Sequence, residues 1–288
     1  MWCLRRSWHR MLCILLTCPS HTGCASKKET SKQVGYMRWL LATLFFITLS
    51  TQAQEYEVRS EFTFCTLNEG KTLMDVMAQS ERYGEFSKEA GTQYLQVVLT
   101  PMHAGINNSY DYVIWGQWPS GQAMYNEWGS FTNDYWKWMS EQDEPMEPAG
   151  TCSGTIAMFN SATAHSRIPW DERDDWQPHQ LADCTLKDGA TLEQVMEAQA
   201  RHGELMKEAG FEGWGTHVFT PYLGFDPSWP YDYVQMNHWY TFEHRGKTAD
   251  TWLAFLEEHP EVQAETEALT SCERHRSFAG RMIFNNAD

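Results

Sequence analysis

Positive charge is scarce in this sequence: 22 Lys and Arg stand against 38 Asp and Glu, a formal net charge of −16. That excludes a nucleic-acid partner, because a phosphate backbone needs a basic face. Long apolar runs are also missing. The one stretch that could interest a membrane, residues 39–49 within MRWLLATLFFITLSTQA, is eleven residues long. It falls short of the ~30 Å of hydrocarbon that a span must cross. No HExxH, Walker loop, GxSxG or Gly-rich dinucleotide motif occurs, which removes the commonest zinc-protease, nucleotide and serine-hydrolase chemistries. What is present is apolar material. With 42% hydrophobic and 21% charged residues over 288 positions, the chain fills a core and whole-chain disorder is excluded. The length suits one large domain or two ordinary ones.

Residues 37–53 read as a secretory signal peptide. Arg38 opens it, the apolar centre follows, and Thr51 and Ala53 put small residues where a signal peptidase reads. A single-pass anchor is the alternative, and the short apolar centre argues against it. Residues 1–36 then stand as an extension upstream of a start at Met37. A second reading takes Arg5, Arg6 and Arg10, the apolar residues 11–18 and Thr22-Gly23-Cys24 as a lipoprotein-type leader. His21 weakens it, standing where such boxes want an apolar residue. Both readings export the protein to the periplasm or the extracellular space, with no stable membrane insertion after signal removal. The first 53 residues hold seven basic residues and one acidic one, so the exported chain keeps 15 against 37 and a net charge of −22. Such a surface keeps a secreted protein soluble and repels anionic membranes.

The exported part reads as a tandem repeat. Set against each other at an offset of 119, Cys65–Gly91 and Cys184–Gly210 agree at fifteen of 27 positions. Thr100-Pro101 returns as Thr220-Pro221, Tyr110-Asp111-Tyr112-Val113 as Tyr231-Asp232-Tyr233-Val234, Trp118 as Trp239 and Cys152 as Cys272. The expected organisation is a first repeat at 54–160, a polar linker at 161–180 broken by Pro169 and Pro178, and a second repeat at 181–288.

Each copy carries the same sequence of signals. A β-prone run, residues 62–67, ends at the turn Asn68-Glu69-Gly70. Thr72 with Asp75, and Thr191 with Gln194, have the spacing of a capping box that opens a helix, and Gly91 and Gly210 stop it. Strands are expected at 94–100 and 110–118, then 214–220 and 231–240. Second helices are expected at 121–141 and 247–258, and closing strands at 151–160 and 278–285. The order is βαββαβ, twice: a ferredoxin-like α+β arrangement.

This order, the duplication and the aromatic third strands resemble the dimeric α+β barrel proteins. That superfamily includes antibiotic-biosynthesis-type monooxygenases, EthD-like and NIPSNAP-like domains, and the haem-binding chlorite dismutase group. No motif of a single subfamily matches. The resemblance implies two sheets packed face to face as an intramolecular barrel. It implies oxidative chemistry on an apolar or aromatic small molecule held between the sheets, with haem as a variant cofactor. Two independent domains on a string are the alternative architecture, and a non-catalytic exported binding or structural protein is the alternative function. The sequence leaves open whether the protein is an enzyme.

Four cysteines follow the signal. In this topology the first and fourth strands are neighbours, which pairs Cys65 with Cys152 and Cys184 with Cys272 as structural disulfides. Asp111 and Asp232 recur beside apolar residues, where each could orient a ligand, act as a base, or bond loop amides at the start of a strand. His217 and His238 fall on adjacent expected strands of the second copy, at positions that are Val97 and Gln117 in the first. His103, His202, His244 and His275 have no spaced partner that makes a metal site. Trp115, Tyr112, Met236 and Trp239 are the candidate walls of a ligand pocket, though such residues also fill cores.

Overall fold

The computed structural model describes residues 58–105, 108–142 and 146–287. The expected signal peptide and the residues upstream of it lie outside these. In chain order the first half holds β1 (Val58–Leu67), α1 (Leu73–Glu89), β2 (Leu95–His103), β3 (Tyr112–Trp118), α2 (Gly121–Ser130), α3 (Trp136–Ser140) and β4 (Gly150–Ser166). The second holds β5 (Trp176–Leu186), α4 (Leu192–Glu208), β6 (Trp214–Leu223), β7 (Tyr233–Trp239), α5 (Phe242–Glu258), α6 (Pro260–Leu269) and β8 (Thr270–Asn285). A π-helical turn, Phe131–Tyr135, joins α2 to α3.

Local sequence sets the helix ends. The Thr72 hydroxyl accepts from the Asp75 N–H while the Asp75 carboxylate accepts from the Thr72 N–H at 2.7 Å. Thr191 and Gln194 repeat the exchange at the start of α4. Gly91 and Gly210 follow with φ of 69° and 83°, the left-handed turn that glycine takes without steric cost. The second helix of the second half starts earlier than expected, at Phe242, because the Thr241 hydroxyl caps it by accepting from the His244 N–H at 3.0 Å.

Hydrogen-bonded neighbours run β1-β3-β2-β8-β5-β7-β6-β4 and close on β1. The sheets of the two halves therefore join along their edges and close the barrel that was expected from sheets packed face to face. Thr100 of β2 stands opposite Ala279 of β8, and Asn160 of β4 opposite Phe219 of β6. Closure removes the unpaired amides that an edge strand would present. It also explains why β4 and β8 outrun the expected closing strands. One length of each pairs within its own half and another with the other half. The expected linker 161–180 is largely strand for the same reason: residues 161–166 complete β4 and residues 176–180 begin β5. Both halves belong to one compact unit, not two domains on a string.

Alternation along the strands sends Phe62, Trp115, Met158, Phe219, Met236 and Phe278 into a single interior cluster. Phe62 lies 5.9 Å from Trp115 and meets Phe219 of the other half edge-on at 5.3 Å. Each such burial contributes about 1.5–3 kcal/mol. The opposite faces pack under helices. Val76 of α1 meets Cys65 and Tyr112 in the first half, and Val195 of α4 meets Cys184 and Tyr233 in the second. Cys65–Cys152 and Cys184–Cys272 are disulfides joining strands at paired positions, as expected. No described helix is long and apolar enough to cross a membrane.

Candidate functional site

The recurring aspartates close bends. The N–H groups of Asp111 and Asp232 donate to the carbonyls of Cys65 and Cys184. Their carboxylates accept from the N–H groups of Leu67 and Leu186, both at 2.7 Å. Of the expected roles this is the bonding of loop amides. Both side chains are exposed where the third strand begins one residue later, and so do not share the buried face of Val113 and Trp115. The four candidate pocket residues separate by strand alternation. Trp115 and Met236 belong to the interior cluster, Tyr112 packs on the α1 side, and Trp239 packs with Trp214 and Phe255 on the helix side of the second half.

His217 and His238 do share a face, with ring centroids 5.2 Å apart. A third imidazole joins them. His179 of β5 stands opposite His238, its centroid 5.9 Å away. Two glycines make the room: a Cβ at Gly215 would stand 2.4 Å from the His238 ring, and one at Gly280 would stand 2.6 Å from His179. His179 Nδ1 lies 2.8 Å from the Gln177 carbonyl and His217 Nδ1 lies 3.0 Å from Asn160 Oδ1. Carbonyl oxygens only accept, so both Nδ1 atoms carry the proton. His238 Nδ1 is buried without a partner. Burial lowers the pKa of His179 and of His217 to about 4 and pushes that of His238 well below its ordinary value. The three rings are therefore neutral near pH 7. Among the described residues no three His, Cys, Asp or Glu are placed to hold a metal ion.

Among the described residues the larger cavity is not between the sheets. Large side chains from both halves fill the barrel interior and leave a cavity of about 20 Å³, room for roughly one water molecule. A cavity of about 490 Å³ lies instead on the outer face of β5, β6 and β7, beneath α4, α5 and α6. That volume is in the usual range for small-molecule sites. Trp214, Trp239 and Trp252 supply its apolar walls. Its strand side carries neutral polar groups: Asn237 accepts from the Thr216 hydroxyl at 2.9 Å, and Gln235 accepts from the Gln199 amide at 3.0 Å. His238 reaches the cavity wall as well as the interior.

The residue that sequence spacing passed over is His202, on α4 and in the cavity wall. Its Nε2 lies 3.0 Å from Glu265 Oε2 of α6, and Arg201 donates to the other oxygen of that carboxylate. Burial opposes ionisation of Glu265, but the hydrogen bonds from Arg201 and His202 outweigh it and hold its pKa below the ordinary value. One signal was available. Position 202 matches Tyr83 in a helix where most neighbouring positions are identical between the copies.

No family model and no curated protein matches the chain. Solved structures similar to it include a mutant chlorite dismutase from Candidatus Nitrospira defluvii, at TM-score 0.44 and 10% identity, covering 78% of this chain and 91% of that one. A candidate monooxygenase from Lactobacillus acidophilus NCFM is similar at TM-score 0.48 and 12% identity, covering 78% and 94%. An anthrone oxidase-like protein is similar at TM-score 0.41 and 12% identity, covering 81% and 96%. The likeness is one of overall fold, with no subfamily resolved.

Proposed function

We propose that the exported chain is an internally duplicated barrel whose second half binds a flat, largely apolar small molecule between its sheet and its helices. One observation carries the reading. His202 stands in the wall of a tryptophan-lined cavity with one ring nitrogen held by Glu265. A carboxylate that accepts the ring N–H fixes the ring's orientation and tautomer and leaves the opposite nitrogen for another partner. The two disulfides support export, since such bonds persist in oxidising compartments.

Haem, which the family resemblance implies as a variant, fits this donor set. His202 would hold it, with Trp214, Trp239 and Met206 packed around it. Haem bound there would supply one-electron and oxygen chemistry. The chain's own residues bind, orient and keep water out: the indoles exclude solvent, and the carboxamides of Gln235 and Asn237 orient polar substituents.

Absorption spectra and mass spectrometry of protein purified from its native compartment identify the occupant. The expected result is a Soret band or a recovered organic molecule that is lost in His202→Ala and in the cavity-filling Ala249→Trp. Protein that is empty, and that neither haemin nor a flat apolar probe stabilises against heat, overturns the reading.

A further inference from the structure

We infer that the ligand of this cavity is an anion, a flat apolar body carrying a carboxylate or sulfonate, and that Arg245 is its anchor. This rests on the cavity reading above and names the class of molecule. The chain has 38 acidic residues against 22 basic ones, yet among the described residues no Asp or Glu lines the cavity. Arg245 of α5 is the one Lys or Arg that does.

Arg245 differs from three other arginines of the second half. Arg201 pairs with Glu265, and Arg274 and Arg276 pair with Asp183. None of the described ion pairs uses Arg245. Its guanidinium carbon lies 4.6 Å from the centre of the Trp239 ring. Stacking fixes the plane of the guanidinium and leaves its edge N–H groups to grip an oxyanion two at a time. A half-buried cation without a counter-charge carries a desolvation cost that an anionic ligand would offset. Carboxamides supply further polar contacts. The carboxamides of Gln180, Gln235 and Asn237 offer N–H donors.

The test compares probes of one shape and two charges on the intact exported protein: anilinonaphthalene sulfonate and its uncharged analogue phenylnaphthylamine. The readout is the ratio of their affinities. The sulfonate should bind roughly tenfold more tightly, the scale of one hydrogen-bonded charge contact, and added salt should weaken that preference. Arg245→Gln, which keeps a planar group over Trp239, should collapse the ratio, and Arg245→Lys should keep most of it, with circular dichroism reporting the fold of both. A ratio near one in the unmodified protein, or a ratio that Arg245→Gln leaves in place, overturns this inference while the cavity reading stands. Failure of both probes and of haemin to bind overturns the cavity reading and this inference with it. Protoporphyrin and its dimethyl ester identify the source of the anion. A preference for the free acid that Arg245→Gln removes assigns it to porphyrin propionates. Exclusion of both porphyrins with the sulfonate preference intact assigns it to a smaller aromatic acid.

Discussion

The two halves share strand order, helix starts and disulfide positions, yet they use the space between sheet and helices in opposite ways. In the first half Gly116 stands between Glu61 and Gln96 on neighbouring strands, and the Tyr94 ring occupies the room that the glycine leaves. Tyr94 stacks on Trp118 at 4.8 Å, and Tyr83 meets Tyr94 edge-on at 5.9 Å. The Tyr83 hydroxyl donates to the buried Glu127. In the second half the position of Gly116 is Asn237, between Gln180 and Thr216. The position of Tyr83 is His202, and the layer is hollow. The barrel and the capped first helices are built alike in both halves, so the helix–sheet layer is where they differ. One half packs that layer shut with aromatic rings, which leaves the other free to hold a cavity.

The comparison breaks outright if either half is self-sufficient. Expressed alone, residues 54–165 and 166–288 would each lose the β2–β8 and β4–β6 ladders and expose half of the shared aromatic interior. Neither should give a stable, soluble monomer by size exclusion and circular dichroism. A folded, monomeric half would refute the shared barrel.

The two halves should also respond to pH with opposite signs. Burial raises the pKa of Glu61 from its ordinary 4.5 to about 7. Between those values the unfolded chain has lost a proton that the folded chain keeps, so stability falls as pH rises, by on the order of 3 kcal/mol. His179 and His217 shift from 6.5 down to about 4. Their contribution is present above the unfolded value and is lost as pH falls through the folded one. Denaturant melts across this window should show Glu61→Gln flattening the loss on the alkaline side and His217→Gln flattening the loss on the acid side. A pH profile that neither variant changes would remove this contrast.

The smallest effect concerns the matched positions themselves. Gly116→Ala drives a methyl to within 2.6 Å of the Tyr94 ring and should cost about 1–3 kcal/mol, as overpacking does. Asn237→Ala in the hollow half loses the Thr216 hydrogen bond at 2.9 Å and should cost about 1 kcal/mol. Equal costs in thermal unfolding would mean that the two layers are packed alike.

Much of the frame was legible from residue types and spacing. Thr72 with Asp75 and Thr191 with Gln194 mark helix starts because a cap needs only the residue three positions on. The cysteine pairs followed from strand order, which the repeat displayed twice. Aromatic residues on both faces of β3 meant that both faces are buried. Which buried face is solid and which is hollow was decided only in three dimensions. Phe62, Phe219 and Phe278 come from three separate strands, and their summed volume closes the interior. His179 escaped notice because it lay in the expected linker, and the strand it occupies is defined by a ladder to β8, about a hundred residues along the chain. His202 had no partner at helical spacing, because Glu265 belongs to α6 and reaches it through helix packing. Caps and strand signals are short-range and leave a trace in one stretch of sequence. A cavity is the difference between the volumes of side chains brought together from many stretches, and only the tertiary structure sets that difference.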